Sequence, residues 1–486
     1  MAAGEFTSTM MLAILPEIGL VALAALLLVV DLIWRGNTRR YLGWLTAAGL
    51  AVIMLLAVLF SRPAAEGALV WGGMLRFDSA GFVFRMVFLA GAALTALYTA
   101  VTDSVRLRGE FYALLLVSTL GMSLMASAAD LIMLFLAIET TSIPLYVLAG
   151  FILRDQKSVE AGIKYLLFGA MASAILLYGF SLIYGFTGTT QLYDLGAAFQ
   201  TGGIPTGLIA AVIGLVLVGF GFKVSAVPFH FWAPDVYQGA PTPVAGFLST
   251  ASKAAGFAAL MRVMAVAFPE QSGLWSTMIA VLATLSMLVG NYLALAQKSL
   301  KRLLAYSSIA QAGYMLIGVA AGSEFGSLGS IYYLMAYLVT NLAAFGVVAW
   351  VERNTGSDDL SAFAGLSRRA PVLGLVMIVA MLSLGGVPPF AGFFGKVLVF
   401  ASAIEKGMVW LALVGIFNAI IGLYYYLMVL KTIYVNEPSD TAKFPKAAMA
   451  WRVALAICVV GILVLGFWFG PFYSFAQGAA TSIWIY

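Results

Sequence analysis

From Gly221 to Asp235 the chain reads G-F-K-V-S-A-V-P-F-H-F-W-A-P-D, and sixteen residues without a polar side chain, 207–222, lead up to Lys223 within it. A run of that kind predicts a membrane helix, and Pro228, five residues past Lys223, predicts that the helix breaks beside a cation. Proline withholds the helical N–H and clashes with the carbonyl four residues back. In lipid such a break survives only where protein or trapped water satisfies the freed backbone, so an ionisable residue placed there marks a functional site.

The rest of the chain is built on the same scale. Its 486 residues are 63% hydrophobic and 10% charged, where a soluble domain carries about a quarter charged residues. With a mean hydropathy of +1.01 the chain is an all-α polytopic membrane protein with no room for a soluble domain. The first apolar segment is too long for a signal-peptide core and follows Glu5 rather than a basic region, so it is expected to stay as helix 1. One cysteine (Cys458) and one histidine (His230) exclude a disulfide framework, a zinc site of the common kinds and a cysteine-ligated iron–sulfur cluster within the chain. Any electrons the protein works with are carried by another chain.

Fourteen spans are expected, at 12–34, 41–60, 79–101, 111–128, 130–152, 161–187, 205–227, 242–267, 274–296, 301–321, 327–351, 371–404, 409–433 and 448–473, the twelfth long enough to need a break or a strong tilt. Taking the connections alternately puts seventeen basic residues on one side, among them Arg35, Arg106, Lys298, Lys301, Arg302 and Arg353, and only Arg62, Arg76 and Lys406 on the other. That asymmetry identifies the cytoplasmic side and places both termini away from it. It also accounts for the net charge of +5 without a nucleic-acid partner.

Six basic residues then fall inside spans: Arg85, Lys164, Lys223, Lys253, Arg262 and Lys396. Arg85 and Arg262 lie within about two turns of span ends, where snorkelling or structural pairing is the plainer explanation. Lys164 is one turn into its helix and reads equally as a relay group or as a helical ion pair with Glu160. Lys253 sits about 17 Å from either end of its span, beyond the reach of a snorkelling side chain. Glu139 is also mid-span, with Pro144 loosening the helix beside it. For these two a functional role in a hydrated path outweighs a buried structural pair.

A second break is written in L-S-L-G-G-V-P-P-F-A-G-F-F-G-K, where Pro388 and Pro389 interrupt the span and Lys396 follows. Both breaks have small residues, Val-Pro, then an aromatic-rich resumption, and five crossings separate them. Five crossings reverse direction, which predicts two inverted five-helix repeats, spans 4–8 within 111–267 and spans 9–13 within 274–433, after N-terminal helices 1–3 in 1–110 and before helix 14 at 448–473. A lysine and a carboxylate in a dry site restore each other's charge on approach, so Glu139 and Lys223 are natural partners. At about 4 Å and an effective dielectric of about 20 such a pair is worth about 4 kcal/mol. A row of Glu139, Lys223, Lys253 and Lys396, bridged by water and hydroxyls, would pass protons along mid-membrane. His230, Tyr306 and Ser307 are further relay candidates, with capping and helix-bonding roles as their alternatives; Asp235 reads as a cap or loop residue.

These segments, with G-A-P-T-P-V, S-T-A-S-K and K-R-L-L-A-Y-S-S-I-A-Q-A-G-Y, resemble the antiporter-like, proton-pumping membrane subunits of respiratory complex I, which are related to multisubunit sodium/proton antiporters. The resemblance covers all fourteen spans. It implies that Glu139 and Lys223 are the paired helix 5 and helix 7 residues, Lys253 the central helix 8 lysine and Lys396 the helix 12 lysine. It implies no metal or cofactor in this chain, with flavin, iron–sulfur clusters and quinone in partner membrane and peripheral subunits, a bacterial inner-membrane location and contact with lipids. Relatives often have a histidine where this chain has Gln311, an amide that does not titrate. One branch carries a C-terminal lateral helix for which no counterpart is expected here. A subunit of a sodium/proton antiporter, or a free-standing transporter, is the other function these segments allow.

Overall fold

The computed structural model describes residues 8–484, apart from 35, 65, 103, 104, 106, 202 and 439–442. Arg35, Arg106 and both chain ends, on which part of the topology argument rests, lie outside the described residues. The helices form where the apolar runs lie: α1 (Leu15–Ile33), α2 (Leu42–Phe60), α3 (Ser79–Thr99), α4 (Gly109–Ser127), α5 (Leu131–Ala149), α6 (Gln156–Thr187) and α7 (Thr206–Val224). They continue with α8 (Thr242–Ala267), α9 (Ser272–Leu295), α10 (Leu300–Ala320), α11 (Glu324–Thr355) and α12 (Pro371–Gly385), which resumes as Ala391–Glu405. Last come α13 (Val409–Tyr434), α14 (Met449–Phe467) and α15 (Phe469–Trp484).

Polar residues at the helix starts take the orphan amide groups that lipid cannot satisfy. Asp78 accepts from Gly81 N, Asp130 from Ile132 N and Met133 N, Asp155 from Lys157 N, Ser299 from Arg302 N and Ser323 from Gly326 N. The Asp155 cap explains why α6 begins five residues earlier than expected: 156–160 is mostly polar but helix-compatible, with Gln156, Lys157 and Glu160 exposed and Ser158 buried. Helices α8, α10 and α11 are almost wholly enclosed, while α1, α2, α6 and α13 present large apolar side chains such as Leu32, Leu59, Leu167 and Phe417 at the surface.

Three elements depart from expectation. A two-stranded hairpin, β1 (Ala68–Val70) against β2 (Leu75–Phe77), interrupts the otherwise helical chain between α2 and α3. A ten-residue helix, Leu192–Thr201, lies before α7 and packs on the far end of α8, with Phe199 stacked on Phe268. Span 14 ends at Phe467 rather than 473, and a further C-terminal helix, α15, follows it. Trp468 leaves the helical conformation, and Pro471 fits only the first turn of a new helix because it has no N–H to offer the old one. α15 crosses the starts of α3 and α11: Ser482 Oγ accepts from Ala80 N and Trp484 Nε1 donates to Ser327 Oγ.

The two breaks share a backbone pattern. Ser225 ends α7 and Gly386 ends α12, both left-handed, at φ 60° and 80°. The next amide in each, Ala226 or Val387, donates to a carbonyl five residues back, Gly221 O at 2.7 Å or Leu382 O at 3.0 Å. That closure is the Schellman form of helix ending. The two breaks therefore share one form of helix ending as well as the Val-Pro pattern in the sequence.

Candidate functional site

Lys223 lies in the last turn of α7, buried, and its Nζ donates to Ser142 Oγ on α5 at 2.5 Å. Side chains supply partners to two backbone groups around the first break: Trp232 Nε1 donates to Phe222 O at 3.2 Å and Val227 N to Ser286 Oγ at 2.9 Å. Glu139 is one turn from Ser142 on the same face of α5, half-buried, and its carboxylate accepts from Ser173 Oγ on α6 at 2.5 Å. The expected Glu139–Lys223 partners are therefore neighbours separated by a serine, not a closed ion pair.

Lys253 follows a π turn, Leu248–Ser252, in the middle of α8. Its Nζ donates to Ser308 O at 2.8 Å and Ser308 Oγ at 2.9 Å on α10, with the Tyr237 ring 6.0 Å away. A π turn widens the helix and turns a side chain out of register, which is how Lys253 is aimed at the neighbouring helix.

Lys396 serves the second break directly. Its Nζ donates to the freed carbonyls Leu384 O at 2.9 Å and Gly385 O at 3.0 Å, above the Tyr314 ring at 4.9 Å. A cation at the exposed carbonyl end of α12 also suits the helix dipole. Gly392 lets the resumed helix meet the first half, since a Cβ there would stand 2.0 Å from Ser383 O, and Gly466 lets α14 touch the break, since a Cβ there would stand 2.1 Å from Pro389 O.

Other candidates fall elsewhere. Lys164 joins Glu160 at 2.6 Å and Asp235 at 2.5 Å near the surface, so it is an ion-pair residue and not part of the central row. Asp235, expected as a cap or loop residue, is the centre of that tie, because Arg302 on α10 reaches it at 2.7 Å. Burial pushes the Asp235 carboxyl up, but the hydrogen bonds from Lys164 and Arg302 outweigh it and hold the group below its usual range. His230 lies in the linker after the first break, its ring tilted against that of Phe231 with centroids 4.6 Å apart, and its Nδ1 is buried and without a hydrogen-bond partner among the described residues. Tyr306 is half-buried and shows no side-chain hydrogen bond among the described residues, whereas Ser307 Oγ lies 2.5 Å from Tyr426 Oη. Arg85 pairs with Glu17 at 2.7 Å and Arg262 with Asp78 at 2.7 Å, which is the structural role expected of cations near span ends.

Sequence reasoning singled out Gln311 but missed its neutral partners, Tyr333 and Tyr426, with which it forms one buried cluster between Ser307 and the second break. A Tyr-Tyr-Tyr run at 424–426 reads as an interfacial anchor, and only the phase of α13 shows that Tyr426 points inward while Tyr424 faces out. On the basic-loop side a cleft of about 500 Å³ is lined by Asp155, Thr242, Lys301, Glu352 and Arg353, and Lys301 Nζ reaches Glu352 at 3.2 Å at its floor.

Residues 128–422 match the family described as NADH:quinone oxidoreductase/Mrp antiporter, TM. The chain is 43% identical over 471 residues to NADH-quinone oxidoreductase subunit N of Moorella thermoacetica, over 96% of this chain and 98% of that protein. A chain of respiratory complex I from Thermus thermophilus superposes with a TM-score of 0.80 at 38% identity, over 94% of this chain and 98% of that one. A chain of the Mrp complex from Dietzia sp. shares the fold, with a TM-score of 0.86 at 23% identity, over 99% of this chain and 98% of that one. Matched over 96% of its residues by the Moorella relative, this polytopic membrane protein belongs to the family of transmembrane subunits common to NADH:quinone oxidoreductases and Mrp antiporters.

Proposed function

We propose that this chain is a proton-translocating, cofactor-free subunit of a membrane NADH:quinone oxidoreductase. In this reading it sits in a bacterial cytoplasmic membrane with both termini on the non-cytoplasmic side. Flavin, iron–sulfur clusters and quinone belong to its partner subunits, and quinone reduction there supplies the energy. The Moorella and Thermus relatives support the assembly. The observation that carries the mechanism is that Lys223, Lys253 and Lys396 are buried and bond only to hydroxyls and backbone carbonyls among the described residues.

An amine held by neutral acceptors keeps or yields its proton according to which charge approaches it. Bringing one carboxylate to about 4 Å at an effective dielectric of about 20 is worth about 4 kcal/mol, roughly a thousandfold in proton affinity. Bringing Glu139 and Lys223 together past Ser142, and separating them again, is a switch of that size. Lys253 and Lys396 then respond in turn, because each cation's proton affinity depends on the charge of its neighbour.

The test is NADH-driven proton uptake in sealed vesicles carrying the whole assembly. Lys223→Ala and Glu139→Ala are expected to lower uptake, and quinone-coupled NADH oxidation with it, while the assembly still forms. Wild-type uptake in either variant contradicts the proposal, as does sodium-for-proton exchange by the purified chain without any redox partner.

A further inference from the structure

Between the Lys253 and Lys396 cages the connecting groups are neutral. Lys253 Nζ bonds Ser308, and its neighbour Ser307 shares a hydrogen bond of 2.5 Å with Tyr426 Oη. The same phenol oxygen accepts from Gln311 Nε2 at 2.9 Å, and the other Gln311 N–H goes to Leu384 O at 3.1 Å. Leu384 O is also the acceptor of Lys396 Nζ at 2.9 Å. Tyr333 donates to Gln311 Oε1, which fixes the orientation of the amide. Ser307, Ser308, Gln311, Tyr333 and Tyr426 are all buried, and they come from α10, α11 and α13.

The amide of Gln311 has both N–H groups and its oxygen engaged, and it neither gains nor loses a proton near neutral pH. Tyr426 is the only group of the cluster that contacts both Ser307 and Gln311 and also carries a transferable proton. The Ser307–Tyr426 hydrogen bond can run in either direction, so the phenol can offer its proton to Ser307 Oγ while Gln311 donates to the phenol oxygen.

We infer that Tyr426 carries the proton between the Lys253 and Lys396 halves, and that Gln311 is the positioning residue that keeps the two halves disconnected until its amide leaves the phenol. The inference rests on the proposed pumping role. In the transfer the Tyr426 O–H bond breaks as its proton passes to Ser307 Oγ, and the Ser307 hydroxyl proton passes in turn, through water, to the neutral Lys253 amine, which ends as the ammonium. The phenol oxygen takes the proton released by the Lys396 ammonium, so the phenol is neutral before and after, one proton has moved, and no electron is exchanged. The reverse direction uses the same bonds. Gln311 Nε2 stands between the phenol oxygen and Leu384 O, the carbonyl that holds Lys396 Nζ, so in the arrangement of the structure the amide fills the way from Lys396 to the phenol and the halves are disconnected.

The experiment is Tyr426→Phe in the complete assembly in sealed vesicles, read as protons taken up per NADH oxidised beside Lys253→Ala and Lys396→Ala. Phenylalanine preserves the buried ring, and the ratio is expected to fall as far as it does in the two lysine variants. A fluorotyrosine at 426, which acidifies the phenol, is expected to shift the pH profile of uptake toward acid; a merely structural tyrosine would leave the profile in place. An unchanged ratio in Tyr426→Phe together with lost uptake in both lysine variants overturns the inference and leaves the pumping role standing. Wild-type uptake in both lysine variants overturns the pumping role itself.

Discussion

Ser142 shows how much one side chain decides. It holds the Lys223 amine where a carboxylate would otherwise close, and Glu139 is left to Ser173 one turn away. A closed Lys–Glu pair would be a resting contact of one state, whereas an amine on a serine is poised between two. Asp235 is the opposite case, an ionised group whose tie is fixed. Its folded pKa lies below the usual value, so the stability it contributes is complete above about pH 4 and is lost as pH falls through the depressed value. The gap in melting temperature between wild type and Asp235→Asn is therefore expected to be full at pH 7 and to close below about pH 4. A gap that stays constant, or grows in acid, refutes that assignment.

At the level of elements, the site is made by the ways helices end. α7 stops at Ser225 and α12 at Gly386, and α8 swells into a π turn just before Lys253. The lysines differ in what they do there: Lys223 precedes its break and leaves it to other side chains, while Lys396 follows its break and takes the freed carbonyls itself. The second break depends on the two halves of α12 touching through Gly392. Gly392→Ala sets a Cβ against backbone at Ser383 O and is expected to abolish proton uptake with Lys396 still present. Gly214→Ala in α7, where a Cβ meets nothing within 4 Å, is expected to leave uptake unchanged. Equal uptake in the two variants would show that contact across the break has no functional weight.

For the whole molecule, the enclosed helices α8, α10 and α11 form a polar axis inside a shell of lipid-compatible helices. The sidedness of that shell is testable because the one natural thiol, Cys458, is buried and silent. Lys406→Cys is expected to react with an impermeant maleimide only from the non-cytoplasmic face and Lys298→Cys only from the cytoplasmic face, both positions being exposed. Labelling of both from one face would mean that the helix count is wrong by one crossing.

Hydrophobic runs near the bilayer thickness, two Val-Pro interruptions and four mid-membrane charges were legible in the sequence, because lipid tolerates neither free backbone nor unsupported charge and so forces both into the pattern of residues. The N-terminal hairpin, the helix at 192–201 and α15 were not, since short amphipathic elements leave no comparable mark. Nor was the partner of each lysine. Which hydroxyl or carbonyl an amine reaches depends on the rotation and depth of helices far apart in the chain, and packing alone set Lys223 on Ser142, moved Lys164 out to Asp235 and turned Tyr426 and Gln311 inward to stand between the two lysines.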